Sequence, residues 1–119
     1  MQARFQMKTV SEMNQLRPLS VEEIRCILAG EMPFLKERFR VKFVGLFGSV
    51  VRGEAGEHSD LDVLVEFEEP PTLFQFVELK DWLSRRLGCN VDLVMKSALR
   101  PHIKQHILQE VVAVSATHD

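Results

Sequence analysis

The sequence has no tyrosine, one tryptophan and only two cysteines among its 119 residues. Cys26 and Cys89 do not form a close pair, so they lack the usual spacing of a structural zinc site, and we expect both to be reduced packing residues. No apolar run approaches the roughly 20 residues that a membrane-spanning helix needs. The first ten residues have no apolar signal core, so we expect a cytoplasmic protein without membrane contacts.

An excess of either charge is also missing. The chain carries 15 basic and 17 acidic residues, which gives a net charge of −2. Proteins that bind long nucleic acids usually present a basic stripe, because affinity comes from neutralising phosphates. Here basic residues stand among acidic ones, as in Lys36, Glu37 and Arg38. Polymeric nucleic acid is therefore disfavoured as the main partner, whereas a small charged ligand remains open.

The apolar pattern predicts a single domain over residues 1–119, with residues 1–19 as a loose arm or docking segment. Strands are predicted at 41–47, 61–67 and 90–95, with a short edge strand at 111–114. Helices are predicted after a Ser20–Glu23 capping box, from Thr72 to Gly88, and from Pro101 to about Glu110; Pro33 kinks or restarts the first. We expect an α/β (α+β) domain, a small mixed sheet with helices packed on one face.

Two aspartates stand at the start of the second predicted strand. Asp60 and Asp62 are two residues apart, so they point to the same side, while Leu61 and Val63 point to the core. Carboxylates about 5 Å apart repel by roughly 3 kcal/mol at an effective dielectric constant near 20. A fold that builds in this pair needs a positive charge between them, and Mg²⁺, which prefers oxygen ligands, meets that need. A solvated strand end is the simpler alternative.

A third acid has the same parity on the next strand. Val91 and Leu93 share one face of that strand, and Asp92 takes the other. Three carboxylates can hold two metal ions about 3.5–4 Å apart, the arrangement that serves phosphoryl-type transfer. Asp92 joins the pair only if its strand neighbours the strand of Asp62, and the sequence leaves the strand order open.

Gly48 and Ser49 lie where the first strand turns into a short helix. Such a turn directs backbone N–H groups towards an anion, Gly48 allows close approach of a phosphate, and the Ser49 hydroxyl can donate to it. A Gly-Ser pair alone has no predictive value. Here it is followed, after ten residues, by Asp60-Leu61-Asp62, and that combination is specific.

This combination, with Arg52-Gly53-Glu54-Ala55 inside it, resembles the polymerase-β-type nucleotidyltransferase superfamily, and more narrowly its minimal nucleotidyltransferases (MNT). The resemblance covers residues 20–114 and implies the nucleotidyltransferase fold. It further implies that Gly48 and Ser49 bind the β- and γ-phosphates of a nucleotide. Asp60 and Asp62 would ligate the metals, and Asp92 would complete the metal site and help to deprotonate the acceptor hydroxyl.

One position departs from the family pattern. Many relatives have a basic residue directly after the Gly-Ser pair, and this chain has Val50 there. Arg52 is then the nearest positive group for the triphosphate. Pairing of Arg52 with Glu54 or Glu57 is an equally weighted alternative.

The resemblance also implies a biological role. MNT proteins act as antitoxins beside HEPN toxins, and some transfer AMP from ATP to a tyrosine of the toxin in a Mg²⁺-dependent reaction. Two alternatives stay open: an antitoxin that masks a HEPN partner by contact alone, and a small-molecule nucleotidyltransferase that needs a homo-oligomer to complete its acceptor pocket. Because the chain has no tyrosine, it cannot be its own tyrosine substrate.

Other polar residues receive simpler interpretations. His102 and His106 can share one helix face, but no third ligand is evident, and we expect them to be exposed. Glu66 is expected on the surface. Phe74, Phe76 and Trp82 are expected in the core or in an interface.

Overall fold

The computed structural model describes residues 19–54 and 60–114. In chain order the elements are α1 (Val21–Phe39), β1 (Val41–Phe47), α2 (Ser49–Arg52), β2 (Leu61–Phe67), α3 (Leu73–Leu87), β3 (Val91–Met95), a 3₁₀ turn (Lys96–Ala98), α4 (Pro101–Glu110) and β4 (Val112–Ala113). The strands at 41–47 and 61–67 were predicted to the residue. The expectation for residues 1–19 falls almost entirely outside the described part. Within the described ranges, no helix has the length and apolarity required to cross a bilayer.

The two long helices begin at the predicted caps. The Ser20 hydroxyl accepts from the Glu23 N–H at 3.1 Å, and the Glu23 carboxylate accepts from the Ser20 N–H at 2.8 Å. Thr72 and Gln75 make the same reciprocal pair at the start of α3. Each pair satisfies backbone donors that a helix start would otherwise leave unbonded. Pro33 lies inside α1, which continues to Phe39 without restarting.

The four strands form one mixed sheet in the order β3-β2-β1-β4. β1 runs antiparallel to β2 and β4, and β2 runs parallel to β3. The short edge strand expected near the C-terminus is present, since Ala113 pairs with Gly45 and Val112 with Leu46. The strand order that the sequence left open is therefore settled: β3 is the neighbour of β2.

The core lies on one face of the sheet. Leu61, Val63 and Val65 of β2 are at most 5% exposed and belong to one cluster with α1 and α3. The helices contribute mainly the buried side chains Ile24, Leu28, Met32, Leu35, Phe39, Leu79, Leu83 and Leu87. The predicted packing of helices on one face is thus confirmed for α1 and α3. Burying each such aliphatic side chain stabilises the fold by about 1.5–3 kcal/mol.

The two cysteines and two of the aromatic residues differ in how deeply they are buried. Cys26 is exposed, so the prediction that it packs in the core was wrong; it lies on the solvent side of α1. Cys89 is half-buried against the core. Trp82 stacks on Phe34 with ring centroids 5.2 Å apart, and Phe74 is 78% exposed, which excludes it from the core.

Candidate active site

The turn after β1 lies directly beside the first strand carboxylate. Phe47, the last residue of β1, is paired with Asp62 of β2, so the next residue, Gly48, reaches the Asp62 side chain. Gly48 has φ 79° and ψ −151°, a backbone region that is essentially restricted to glycine. A Cβ atom on Gly48 would lie 2.0 Å from Oδ2 of Asp62. Glycine is therefore required here both by the backbone conformation and by the carboxylate.

The Gly-Ser turn leaves several hydrogen-bond donors unused. The chain continues from Gly48 into α2, a helix of four residues. The N–H groups of Val51 and Arg52 bond to the Gly48 carbonyl oxygen at 3.1 and 3.2 Å. Within the described ranges, the N–H groups of Ser49 and Val50 and the Ser49 hydroxyl have no hydrogen-bond partner. Since α2 is a single turn, these donors, rather than a helix macrodipole, are what the turn offers to an anion.

The three predicted acids come together next to this turn. Asp62 and Asp92 are paired residues of the parallel strands β2 and β3, so their side chains lie side by side on the same face. Asp60 precedes β2 by one residue and is exposed. The condition placed on Asp92 from the sequence, a strand adjacent to that of Asp62, is met.

The pKa of Asp62 reflects the electrostatics of this acid cluster. Its pKa is raised above the ordinary value, first by burial and then by the negative charges of Asp92 and Asp60. A hydrogen bond between the Asp62 and Asp92 carboxyl groups, which needs a proton on one of them, raises it further. The charge of Arg52 acts in the opposite direction. The three acids are thus close enough to repel one another, with Asp62 at the centre.

This arrangement fits a hard cation, although the ligand set is not preformed. In residues 19–54 and 60–114, no three His, Cys, Asp or Glu side chains converge on one point as ready metal ligands. The nearby donors are carboxylate oxygens, the ligand type that Mg²⁺ prefers, and a divalent cation would relieve the repulsion that raises the pKa of Asp62. The donors therefore match magnesium chemistry.

Arg52 does not extend freely from the turn. Its Nε donates to Glu54 at 3.1 Å and its Nη1 donates to Glu110 at 3.0 Å. The side chain is 47% exposed. Of the two ion-pair partners predicted for Arg52 from the sequence, Glu54 does bind it, and Glu57 lies outside the described residues. Hydrogen bonds to the carboxylates of Glu54 and Glu110 raise the pKa of the Arg52 guanidinium.

Sequence reasoning missed Glu110. Its carboxylate accepts from the Gly48 N–H at 2.6 Å, across 62 positions of the chain, and from Arg52, across 58. The hydrogen bond from the Gly48 N–H holds the pKa of Glu110 below its usual range; burial acts in the opposite direction, and the hydrogen bond and charge of Arg52 lower the pKa further. The only available signal was the position of Glu110 at the predicted end of α4. A helix end carries no information on which turn it will meet.

The other residues considered from the sequence are two histidines, Glu66 and Cys89. His102 and His106 are exposed, as expected. The Glu66 side chain is 34% exposed, in line with the expected surface position, and its carboxylate lies 3.7 Å from Nζ of Lys96. Cys89 lies near the acids: burial and the charge of Asp60 both raise the pKa of its thiol.

Comparison with known proteins identifies the family. Residues 32–114, more than half of the chain, match the nucleotidyltransferase domain family. The protein adenylyltransferase MntA of Thermococcus cleftensis is 53% identical over 96 residues, which cover 81% of this chain and 97% of that protein. The chain belongs to the nucleotidyltransferase family.

Solved structures agree with this nucleotidyltransferase assignment. A structure assigned as a minimal nucleotidyltransferase is 39% identical, covers 80% of this chain and 96% of its own, and has a TM-score of 0.67. The tri-AMPylated HEPN toxin of Shewanella oneidensis in complex with its MNT antitoxin gives a TM-score of 0.56 at 18% identity, covering 76% of this chain and 71% of the other. At that identity the second likeness shows the fold alone. The predicted family, fold and enzyme class of the nucleotidyltransferase are confirmed.

Proposed function

We propose that this nucleotidyltransferase transfers AMP from ATP to a hydroxyl group of a HEPN partner protein and thereby acts as its antitoxin. The observation that carries the proposal is the placement of Asp62 and Asp92 side by side, next to the Gly48–Ser49 turn, whose Ser49 and Val50 N–H groups have no partner among the described residues. The Thermococcus cleftensis relative is a protein adenylyltransferase, which supports AMP as the transferred group. The AMPylated HEPN toxin in the Shewanella oneidensis complex supports the class of acceptor.

The turn and the acids have different roles in binding the substrate. The N–H groups of Ser49 and Val50 and the Ser49 hydroxyl bind oxygens of the β- and γ-phosphates. Asp60, Asp62 and Asp92 would hold two Mg²⁺ ions. When bound, such ions neutralise charge on the phosphates and stabilise the attacking and leaving oxygens. Most of the catalysis is then positioning and charge neutralisation.

The chemical step moves one phosphorus atom between two oxygens. The acceptor hydroxyl oxygen forms a bond to the α-phosphorus of ATP while the bond from that phosphorus to the bridging oxygen breaks. Pyrophosphate leaves with the bonding electron pair, and the acceptor carries AMP as a phosphodiester. The hydroxyl proton passes to Asp92, which is exposed and can meet an incoming acceptor. Atoms and charges balance without a further reactant.

Several properties stay predictions beside this proposal. We expect a cytoplasmic protein that does not rely on nucleic acid. A homo-oligomer stays open, and a small-molecule acceptor would require one to complete its pocket. The lack of tyrosine gives the assay a useful property, since any adenylylated tyrosine in a mixture must belong to the partner.

Labelled ATP tests the proposal directly. The chain is incubated with Mg²⁺ and the HEPN protein encoded beside it, in parallel with ATP labelled at the α-phosphate or at the γ-phosphate. AMP transfer predicts that the partner gains label only from the α-position. The Asp62→Asn variant should lose this labelling. Asp81→Asn, which alters an exposed Asp81–Arg85 ion pair on α3, is the matched control and should keep it.

Two results would contradict the proposal. A partner that binds the wild-type chain tightly but gains no α-label would indicate an antitoxin that masks by contact. Equal labelling from both positions would indicate transfer of more than AMP.

A further inference from the structure

Glu110 connects two parts of the site that are far apart in the sequence. It is the last residue of α4, and its side chain is only 16% exposed. One carboxylate oxygen accepts from the Gly48 N–H at 2.6 Å, and the other accepts from Nη1 of Arg52 at 3.0 Å. A single carboxylate thus holds both ends of the segment that contains the Gly-Ser turn.

The turn needs such a restraint. Glycine has more accessible backbone conformations than any other residue, so fixing Gly48 in one of them costs conformational entropy. The other neighbour of Gly48 is the Asp62 carboxylate, which is close enough to exclude a side chain but offers no donor when charged. The bond to Glu110 is charge-assisted, and such bonds are roughly twice as strong as neutral ones. Glu110 is therefore the group that fixes the direction of this peptide.

The donors that Glu110 uses differ from those that a phosphate would use. Glu110 accepts hydrogen bonds from the Gly48 N–H and from Nη1 of Arg52. Within the described part of the chain, the Ser49 and Val50 N–H groups and the Ser49 hydroxyl keep no partner. The carboxylate consequently holds the turn while the next two residues stay available to a ligand.

Glu110 also keeps a positive charge beside the acids. Arg52 is held between Glu54 and Glu110, and its charge lowers the pKa of Asp62 against the effects of burial and of the neighbouring carboxylates. Without Glu110, the pair with Glu54 is the one ion pair that Arg52 would keep among the described residues, and the Glu54 side chain is 63% exposed. Exposed ion pairs contribute between about 0 and 1 kcal/mol, too little to fix a long side chain.

We propose that Glu110 is a positioning residue for the nucleotide: it holds the Gly48–Ser49 turn and Arg52 in the arrangement that binds the triphosphate, without touching ATP itself. The inference rests on the proposed function, because it assigns the triphosphate to this turn. The opposite role, an internal anion that ATP must displace, predicts the opposite sign for every variant of Glu110.

The test compares Mg²⁺·ATP binding by calorimetry and AMP-transfer kinetics for three variants and the wild type. Glu110→Ala removes both contacts and should raise the Kd about 10-fold, the loss expected for a charge-assisted hydrogen bond. Its KM for ATP should rise by a similar factor while kcat changes less than about 3-fold, since the acids are untouched. Glu110→Gln keeps an acceptor for the Gly48 N–H but loses the charge on both contacts, and should bind ATP about 3-fold more weakly than wild type.

Glu31→Gln is the matched control. It weakens another ion pair between distant parts of the chain, in which Nε of Arg86 lies 2.7 Å from Glu31, away from the turn. This variant should lower the thermal midpoint without changing the Kd for ATP. If Glu110→Ala does not fold, the comparison of Glu110→Gln with Glu31→Gln still decides, since only Glu110→Gln should weaken ATP binding.

Two outcomes overturn the inference. Unchanged ATP binding in a folded Glu110→Ala protein would make the contact purely structural, and tighter binding in either Glu110 variant would make Glu110 a competitor of the phosphate. Failure of the wild-type chain to bind Mg²⁺·ATP is a separate result, because it would remove the proposed function together with the inference.

Discussion

Gly48 and Asp62 are so close that a methyl group on Gly48 would lie 2.0 Å from a carboxylate oxygen of Asp62. The contact follows from the register, in which Phe47 at the end of β1 is paired with Asp62 near the start of β2. The turn that offers N–H groups to a phosphate and the acid that would hold a metal are therefore one structural unit. A substitution at either residue should therefore shift the position of the other.

Gly48→Ala should destabilise the fold far more than Gly53→Ala. Both glycines have positive φ, 79° and 75°, but a Cβ on Gly53 would meet no atom of the described residues within 4 Å. Gly53→Ala should cost about 1–2 kcal/mol, the usual penalty of a left-handed conformation. Gly48→Ala adds the collision with Asp62 and a glycine-only backbone region, and we expect at least about 3 kcal/mol. Urea unfolding measures both values, and equal losses would contradict the contact.

The elements could be predicted because their signals are local. Ser20 with Glu23, and Thr72 ahead of its apolar stripe, mark helix starts through bonds that span three residues. The strand at 61–67 is visible from alternation alone. Pro33 was harder, because the packing of α1 decides whether the helix continues. Cys26 was placed wrongly because cysteine is usually a buried residue type, whereas a position two residues after the buried Ile24 falls on the opposite side of the helix.

Asp62→Asn should stabilise the metal-free protein at neutral pH. The folded-state pKa of Asp62 lies above the ordinary value of 3.8, so the folded chain binds this proton more tightly than the unfolded chain does. The resulting stabilisation is fully present below that ordinary value and is lost as the pH rises through the raised pKa. Because Asp62 is partly exposed, we expect a gain of at most about 1 kcal/mol for Asp62→Asn at pH 7.

Thermal unfolding from pH 3 to 8 with a chelator present checks this prediction. The difference between Asp62→Asn and wild type should grow as the pH rises, and Asp81→Asn should show no such trend. A variant that is less stable than wild type at pH 7 would indicate that the Asp62 charge is favourable in the metal-free fold.

Asp92→Asn should lower the pKa of Asp62 part of the way to its ordinary value. The substitution removes one negative charge beside Asp62, while burial, the largest cause of the shift, remains. Titration of the carboxyl carbon resonances by NMR measures the change. An unchanged pKa of Asp62 would mean that the two strands do not hold these side chains together in solution.

The site was only partly predictable, for a reason that the strand pairing makes clear. Asp60 and Asp62 are neighbours through their spacing, whereas Asp92 joins them because β3 lies parallel to β2, a long-range choice that no local pattern encodes. Glu110 and Arg52 meet across 58 positions. Contacts of this kind depend on where α4 ends in space, so the residue type alone could not reveal them.

Mg²⁺ should raise the thermal midpoint of the wild-type chain and not that of Asp62→Asn. Binding only to the folded state stabilises by RT ln(1 + [Mg²⁺]/Kd), about 1.4 kcal/mol at ten times the Kd, or roughly 4–6 °C for a domain of this size. The gain comes from relief of the repulsion among the acids. Chelation should reverse it. An equal Mg²⁺ effect in both proteins would place the ion elsewhere.

The most direct test of the central claim is the intact mass of the HEPN partner after incubation with this chain, ATP and Mg²⁺, beside an Asp60→Asn control. We predict a gain of one or more AMP units with the wild-type chain and none with the control. Tandem mass spectrometry should then locate the added mass on a hydroxyl side chain of the partner. An unchanged partner mass, with a stable complex still formed, would contradict AMP transfer to that protein.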